Sequence, residues 1–164
     1  MKTQTILLVL ATLSTGVMAG IFFTWSNAVT TGLGRLNDLE YLRAFQAMNR
    51  TILNPAFFVM IWSATLLTPI ASILFFKSEP NQVFWLLVTA GISYLLGVMA
   101  VTFAGNIPLN NLLDQTSLNT ISTVDAKSLR EQFENKWNFL NWIRTFSSMA
   151  SFILLVIACN SGNN

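Results

Sequence analysis

Three groups of polar side chains punctuate a chain that is otherwise strongly apolar, and any chemistry it performs must come from them. The first is Gln46, Asn49, Arg50 and Asn54, spaced so that Gln46, Asn49 and Arg50 share one face of a helix. The second is the run Asn106-Ile107-Pro108-Leu109-Asn110-Asn111. The third is Trp137, Asn138, Asn141, Arg144 and Thr145, with Trp137, Asn141, Arg144 and Thr145 again at helical spacing. Guanidinium and amide groups are donors that stabilise a developing anion. They also cap helix ends, snorkel to headgroups or hold helices in register. Convergence of three segments therefore means either a pocket or a polar knot, and residue type alone leaves both open. Histidine is absent, which removes the usual near-neutral acid–base group and the commonest metal and haem ligand. Asp114, Asp38 and Glu40, or a bound water, are what remains near these groups to accept a proton, and none of the acids sits in a motif.

The elements that must position these groups are membrane helices. Of 164 residues, 53% are hydrophobic and 10% charged, where a soluble domain carries roughly a quarter charged. The apolar residues fall in four blocks at about 6–29, 56–76, 83–105 and 142–159, each near the ~20 residues that cross a bilayer as a helix. Backbone groups in lipid must be satisfied internally, so an all-α fold is expected: one domain, a four-transmembrane-helix bundle. The only ionisable interruption of a block is Arg144.

Amphipathic helical segments are expected in the first and third connections. Leu39, Leu42, Phe45, Met48 and Ile52 recur at helical spacing, with Arg43, Gln46, Asn49 and Arg50 opposite. Gly32 and Gly34 end the first helix, and Asn54-Pro55 begins the second. The link from Lys77 to Gln82, with Pro80, makes helices two and three an antiparallel hairpin. Asp114 to Thr123 reads as a loop placed after the third helix. Ser122 or Thr123 then starts a rod from about Asp125 to Cys159, because Leu129, Phe133, Trp137 and Leu140 carry one periodicity into the fourth block. Pro69 is expected to kink the second helix.

Both long connections share one side of the membrane, so one end of the bundle carries most of the polar structure. Arg35, Arg43, Arg50, Lys127, Arg130, Lys136 and Arg144 lie on that side, against Lys2 and Lys77 on the other. The positive-inside tendency places the long loops in the cytoplasm and both termini outside. Met1 to Ala19 also has the layout of a secretory signal, but the apolar run continues to Val29, which favours a retained span. Gly16 with Gly20, and Gly97 with Ala100 and Ala104, suit close helix approach, within a monomer or in a homo-oligomer. The net charge of +2 is too small and scattered for nucleic acid, and the single Cys159 precludes an intramolecular disulfide. With no acid inside any block and no repeated half, a transporter's proton relay is hard to build.

Four stretches carry a family resemblance: Gly20-Ile-Phe-Phe-Thr-Trp-Ser26, Ala44-Phe-Gln-Ala-Met-Asn-Arg-Thr-Ile-Leu-Asn-Pro55, Asn106-Ile-Pro-Leu-Asn-Asn111 and Trp137-x-x-x-Asn141-x-x-Arg144-Thr145. In this order they resemble the anthrone-oxygenase-like (DUF1772) membrane proteins across nearly the whole chain. Leu140 departs from the second aromatic that relatives often carry there, and the loop after Thr30 lacks their usual proline. The resemblance implies a four-helix membrane bundle. It also implies, for some fungal members, oxidation of an anthrone to an anthraquinone by dioxygen without metal or flavin. On that reading no cofactor is expected, and the ligand is a small, flat, apolar aromatic. Arg144 or Arg50 would stabilise its anion and Asn106, Asn110 and Asn141 would orient it. Phe22, Trp25 and Trp137 would stack on the ring, with Ser26, Gln46, Asn49 and Thr145 completing the binding groups. The alternative is a non-enzymatic bundle that binds a lipid or quinone-like molecule or a partner membrane protein.

Overall fold

A computed structural model describes residues 3–76 and 82–161, and all their regular elements are helical. Four helices are long and apolar enough to cross a membrane: α1 (Thr3–Leu33), α3 (Pro55–Phe76), α4 (Gln82–Gln115) and α5 (Thr123–Ser161). Helix α2 (Asp38–Ile52) lies in the first connection. The link with Lys77 and Pro80, and the Lys2 position, lie outside the described residues.

The expected amphipathic segment of the first connection is α2. Asn37 caps it by accepting from the Glu40 backbone N–H, and Asp38 and Glu40 sit in its first turn, where the helix dipole favours acids. Its apolar face, Tyr41, Leu42 and Phe45, is fully buried against Leu113, Phe133 and Trp137. Phe45 meets Phe133 and Trp137 edge-on at 4.7 and 4.8 Å between centroids. Burial and Glu134 push the Tyr41 phenol well above the usual tyrosine range, against an opposing pull from Arg130, so the ring stays neutral. Arg130 fastens this cap to α5. It donates to the Gly34 and Leu36 carbonyls and to Asp38, bonds Glu134 one turn away, and lies over the Tyr41 ring.

The fourth helix is the single rod its periodicity implies, 39 residues and so about 58 Å long. Ser122 caps it reciprocally with Asp125. The third helix differs from expectation. Asn106 to Asn111 were expected just after its end, but α4 continues through them to Gln115, and the loop begins at Thr116. Pro108 falls in the first turn after a π-helical segment, a position that tolerates a missing N–H. Pro69 sits inside α3 without ending it.

Three π-helical segments occur among the described residues: Trp25–Val29 in α1, and Leu95–Ala100 and Thr102–Asn106 in α4. Such turns add a residue, rotate the side chains that follow, and are frequent at functional sites. The segments of α4 are pressed onto α5, and glycine is what allows it. A methyl on Gly97 would overlap Cβ and Oγ of Ser147, and one on Gly105 would come within 2.6 Å of Leu140 Cδ1. Gly16 is likewise close to Phe152, whereas Gly20 faces open space in the monomer. Gly97→Ala should therefore destabilise the fold by roughly 1–3 kcal/mol through overpacking. The check is the thermal midpoint in detergent, which should fall for Gly97→Ala and hold for Gly20→Ala.

Candidate functional site

Buried hydroxyls within the spans mostly satisfy themselves. Thr65, Ser72 and Ser148 each donate to a carbonyl one turn earlier, which removes the cost of carrying them in lipid. Eight buried side-chain polar atoms among the described residues find no partner; four of them, on Thr15, Tyr41, Tyr94 and Asn138, are scattered, and the other four are grouped. Asn49 Nδ2, Thr102 Oγ1, Asn106 Oδ1 and Arg144 Nε are all buried and unpaired. The residues that own these four atoms all line one cavity of about 180 Å³ at the polar end of the bundle.

The cavity draws walls from every span. Phe22 and Trp25 come from α1, Phe57 and Ile61 from α3, Met99, Thr102, Asn106 and Asn110 from α4, and Trp137, Asn141 and Arg144 from α5. Asn49 and Ile52 at the end of α2, and Leu53 after it, border the cavity on the loop side. Trp25, Met99, Thr102 and Asn106 belong to π-helical segments, so the altered turns are what aim these positions inward.

Arg144 dominates the electrostatics. It is 7% exposed in the span of α5, and among the described residues no carboxylate pairs with it. Its Nη2 donates to Asn141 Oδ1 at 2.6 Å, and the guanidinium lies over the Phe22 and Trp137 rings at 4.8 and 5.2 Å. Asn141, fully buried, donates to Ser26 Oγ at 2.7 Å and to the Phe22 carbonyl at 3.1 Å. Ser26 and Thr145 share a 3.0 Å contact, and Thr145 donates back to the Asn141 carbonyl. Trp137 Nε1 donates to Asn110 Oδ1 at 2.8 Å, and Asn106 reaches the Trp137 carbonyl at the long distance of 3.5 Å. A ring of α1, α4 and α5 side chains thus fixes Arg144 and leaves one of its donors open. Burying a lone charge is costly, and cation–π contact offsets only a part.

The residues singled out by sequence divide into three sets. Phe22, Trp25, Asn49, Asn106, Asn110, Trp137, Asn141 and Arg144 meet at the cavity. Ser26 and Thr145 stand directly behind it, bonded to Asn141. Gln46 and Arg50 do not reach it. Gln46 donates to the Leu113, Asp114 and Thr116 carbonyls at the end of α4, and Arg50, 60% exposed at its side chain, pairs with Asp114. One helical face thus serves two purposes, with Asn49 turned to the cavity and its neighbours holding the loop. Asp38 is paired with Arg130 and Asp114 with Arg50. Among the described residues no carboxylate lines the cavity, and none forms a group of three or more metal-ligating side chains with others. Thr102 and Met99 escaped the sequence reading, since a threonine in an apolar span carries no signal and the π-helical rotation is not periodic.

The fold and site define a class: a multi-pass membrane bundle with an apolar cavity and a cationic, hydrogen-bonding floor. The anthrone oxygenase family model matches residues 41–154, from α2 to late in α5, and the chain belongs to that family. Three of the four resembling stretches fall inside the match, and Gly20–Ser26 lies outside it. No curated protein and no solved structure matches the chain.

Proposed function

We propose that this chain is a membrane-embedded oxygenase that oxidises a small, flat aromatic of the anthrone type with dioxygen, taking the electrons from the substrate itself. The observation that carries the reading is the convergence of four unpaired buried polar atoms, one of them on an arginine without a carboxylate, on a single apolar cavity. A polar knot that only held helices together would bond these groups to one another. A ligand oxygen would accept from Asn49 Nδ2, Thr102 Oγ1 and Arg144 Nε, and a ligand O–H would donate to Asn106 Oδ1.

The chemistry balances without a further reductant. The methylene carbon of an anthrone loses a proton, leaving an anion with its charge largely on the ring oxygen. The anion transfers electrons to dioxygen and a C–O bond forms at the former methylene. The hydroperoxide then loses water to leave a second carbonyl, so CH2 and O2 become C=O and H2O. Arg144 is the electrostatic stabiliser of the oxyanion, with Thr102 Oγ1 and Asn49 Nδ2 as nearby donors and Asn106 Oδ1 as an acceptor for the hydroperoxide O–H. Asn141 and Asn110 position Arg144 and Trp137. Phe22, Trp25 and Trp137 offer ring faces to a flat molecule. With no carboxylate on the walls, the proton passes to water, and the cavity selects the anion already formed. The test is oxygen uptake by purified protein supplied with anthrone. One O2 consumed per anthraquinone formed, at a rate above buffer, is expected; a rate equal to buffer across a panel of anthrones would remove the enzymatic reading.

A bundle that merely holds a quinone-like or lipid anion would use the same floor, and would show saturable binding with no oxygen uptake. The positive-inside tendency puts the α2 side in the cytoplasm. A reporter fused after Asn164 should then be active only outside, and a cytoplasmic signal would reverse the orientation.

A further inference from the structure

We infer that the cavity is filled from the hydrocarbon of the bilayer, through a lateral mouth between the start of α3 and the end of α4, with Phe58, Trp62 and Phe103 as its gate. This rests on the cavity being a substrate site. The inner residues Phe22, Asn106, Asn141 and Arg144 are all 7% exposed or less, while Phe58, Trp62 and Phe103, which line the same cavity, are 43%, 45% and 57% exposed. Those exposed rings come from two helices that flank one seam, and Leu53, which also lines the cavity and is 61% exposed, stands just before the start of α3.

The seam has a structural cause. Helix α3 packs on α1 and on the first part of α4, while the π-helical end of α4 packs on α5 instead. Gly97 and Gly105 admit that approach, because each sits where a side chain would collide with α5. Drawing the end of α4 toward α5 takes it away from α3, and the gap between them is the mouth. Trp62 is seven residues into α3, so about 10 Å along its axis, which sets the opening inside the apolar part of the bundle rather than in the loops.

The route from the loop side is covered. Trp25, Phe45 and Trp137 are in mutual ring contact there, at 4.8 to 5.4 Å, and Gln46 and Arg50 hold α2 to the end of α4. A flat apolar aromatic partitions into lipid, so the open side of the cavity faces the phase where the substrate is concentrated. Its oxygen would then enter first and meet Arg144 at the floor.

The experiment measures association and dissociation of anthrone under nitrogen, where it is not consumed, in lipid nanodiscs by quenching of tryptophan fluorescence. In a Cys159→Ser background, Phe103→Cys carrying a bulky maleimide should slow both rates roughly tenfold with little change in Kd, because a gate alters passage rather than the bound state. Phe103→Ala should speed both, and the same label on Phe139→Cys, exposed on α5 away from the mouth, should change neither. Unchanged rates with the labelled Phe103→Cys protein, or equal slowing with the Phe139→Cys protein, overturn the lateral route and leave the cavity reading standing. Failure of the unmodified protein to bind anthrone removes the cavity reading and the route together.

Discussion

Arg144→Ala should lower the anthrone-dependent oxygen uptake by about 100- to 1000-fold, the usual consequence of deleting a preorganised donor at a developing oxyanion. The protein should meanwhile fold as well as before or better. Those two effects have opposite signs for one reason. A guanidinium buried in a span, bonded to Asn141 and otherwise facing rings and an open cavity, is a cost to the folded state. An anionic ligand is what turns that cost into affinity. A purely structural arginine would give the reverse pattern, with a lower thermal midpoint and unchanged turnover. Arg144→Lys should fall between, since a point charge lacks the planar fork that the Asn141 bond and a ligand oxygen use together. The pH profile gives a second arm. With no histidine in the chain and, among the described residues, no carboxylate on the walls, the rate should rise with pH through the ionisation of the substrate. Its midpoint should move when a more acidic anthrone is used. A midpoint fixed across substrates would point to a protein base and contradict the proposed proton path.

What the sequence made visible follows from which forces are periodic. Hydrocarbon-length apolar blocks and the 3.6-residue stripe of α2 are repeated along the chain, and the four spans and the buried Leu42 and Phe45 appear where that repetition puts them, whereas the buried face of α2 is turned to take in Tyr41 and Asn49 and leaves Leu39, Met48 and Ile52 half-buried. The same logic carried Leu129, Phe133, Trp137 and Leu140 into one continuous α5. It failed at Asn106, where a polar run and a proline looked like an exit from the membrane. The chain stays helical there because the preceding π-helical turn moves Asn106 inward, fully buried, while Pro108 loses no needed hydrogen bond. The site was legible as a convergence of amides and arginines, but its membership was not. Arg50 and Asn49 are neighbours on one helix, and only tertiary packing decides that Asn49 turns to the cavity while Arg50 meets Asp114. Thr102 shows the limit from the other side: its hydroxyl matters because no carbonyl takes it, and that fact exists only in three dimensions.

Asn141 provides the sharpest separation between a site that holds a charge and a knot that holds helices. Its amide is fully buried and fully used, donating to Ser26 and the Phe22 carbonyl on α1 and accepting from Arg144. Asn141→Leu removes all three bonds, and should lower stability by about 2–4 kcal/mol through the partners left unsatisfied. Turnover should fall roughly 100-fold in the protein that remains folded, because Arg144 is no longer oriented. That variant alone does not distinguish position from stability. Asn141→Asp does, since it keeps an acceptor for Arg144 Nη2 and nearly the same shape while adding the negative charge the cavity lacks. It should preserve the Arg144 contact, with the Phe22 carbonyl as the one unfavourable neighbour, and hold most of the thermal stability lost in Asn141→Leu. Anthrone binding should nonetheless disappear, because the arginine then has its anion built in. A well-folded Asn141→Asp protein that oxidises anthrone at the normal rate would show that the positive charge of the floor is irrelevant to turnover. Arg144 would then be one more helix-packing residue.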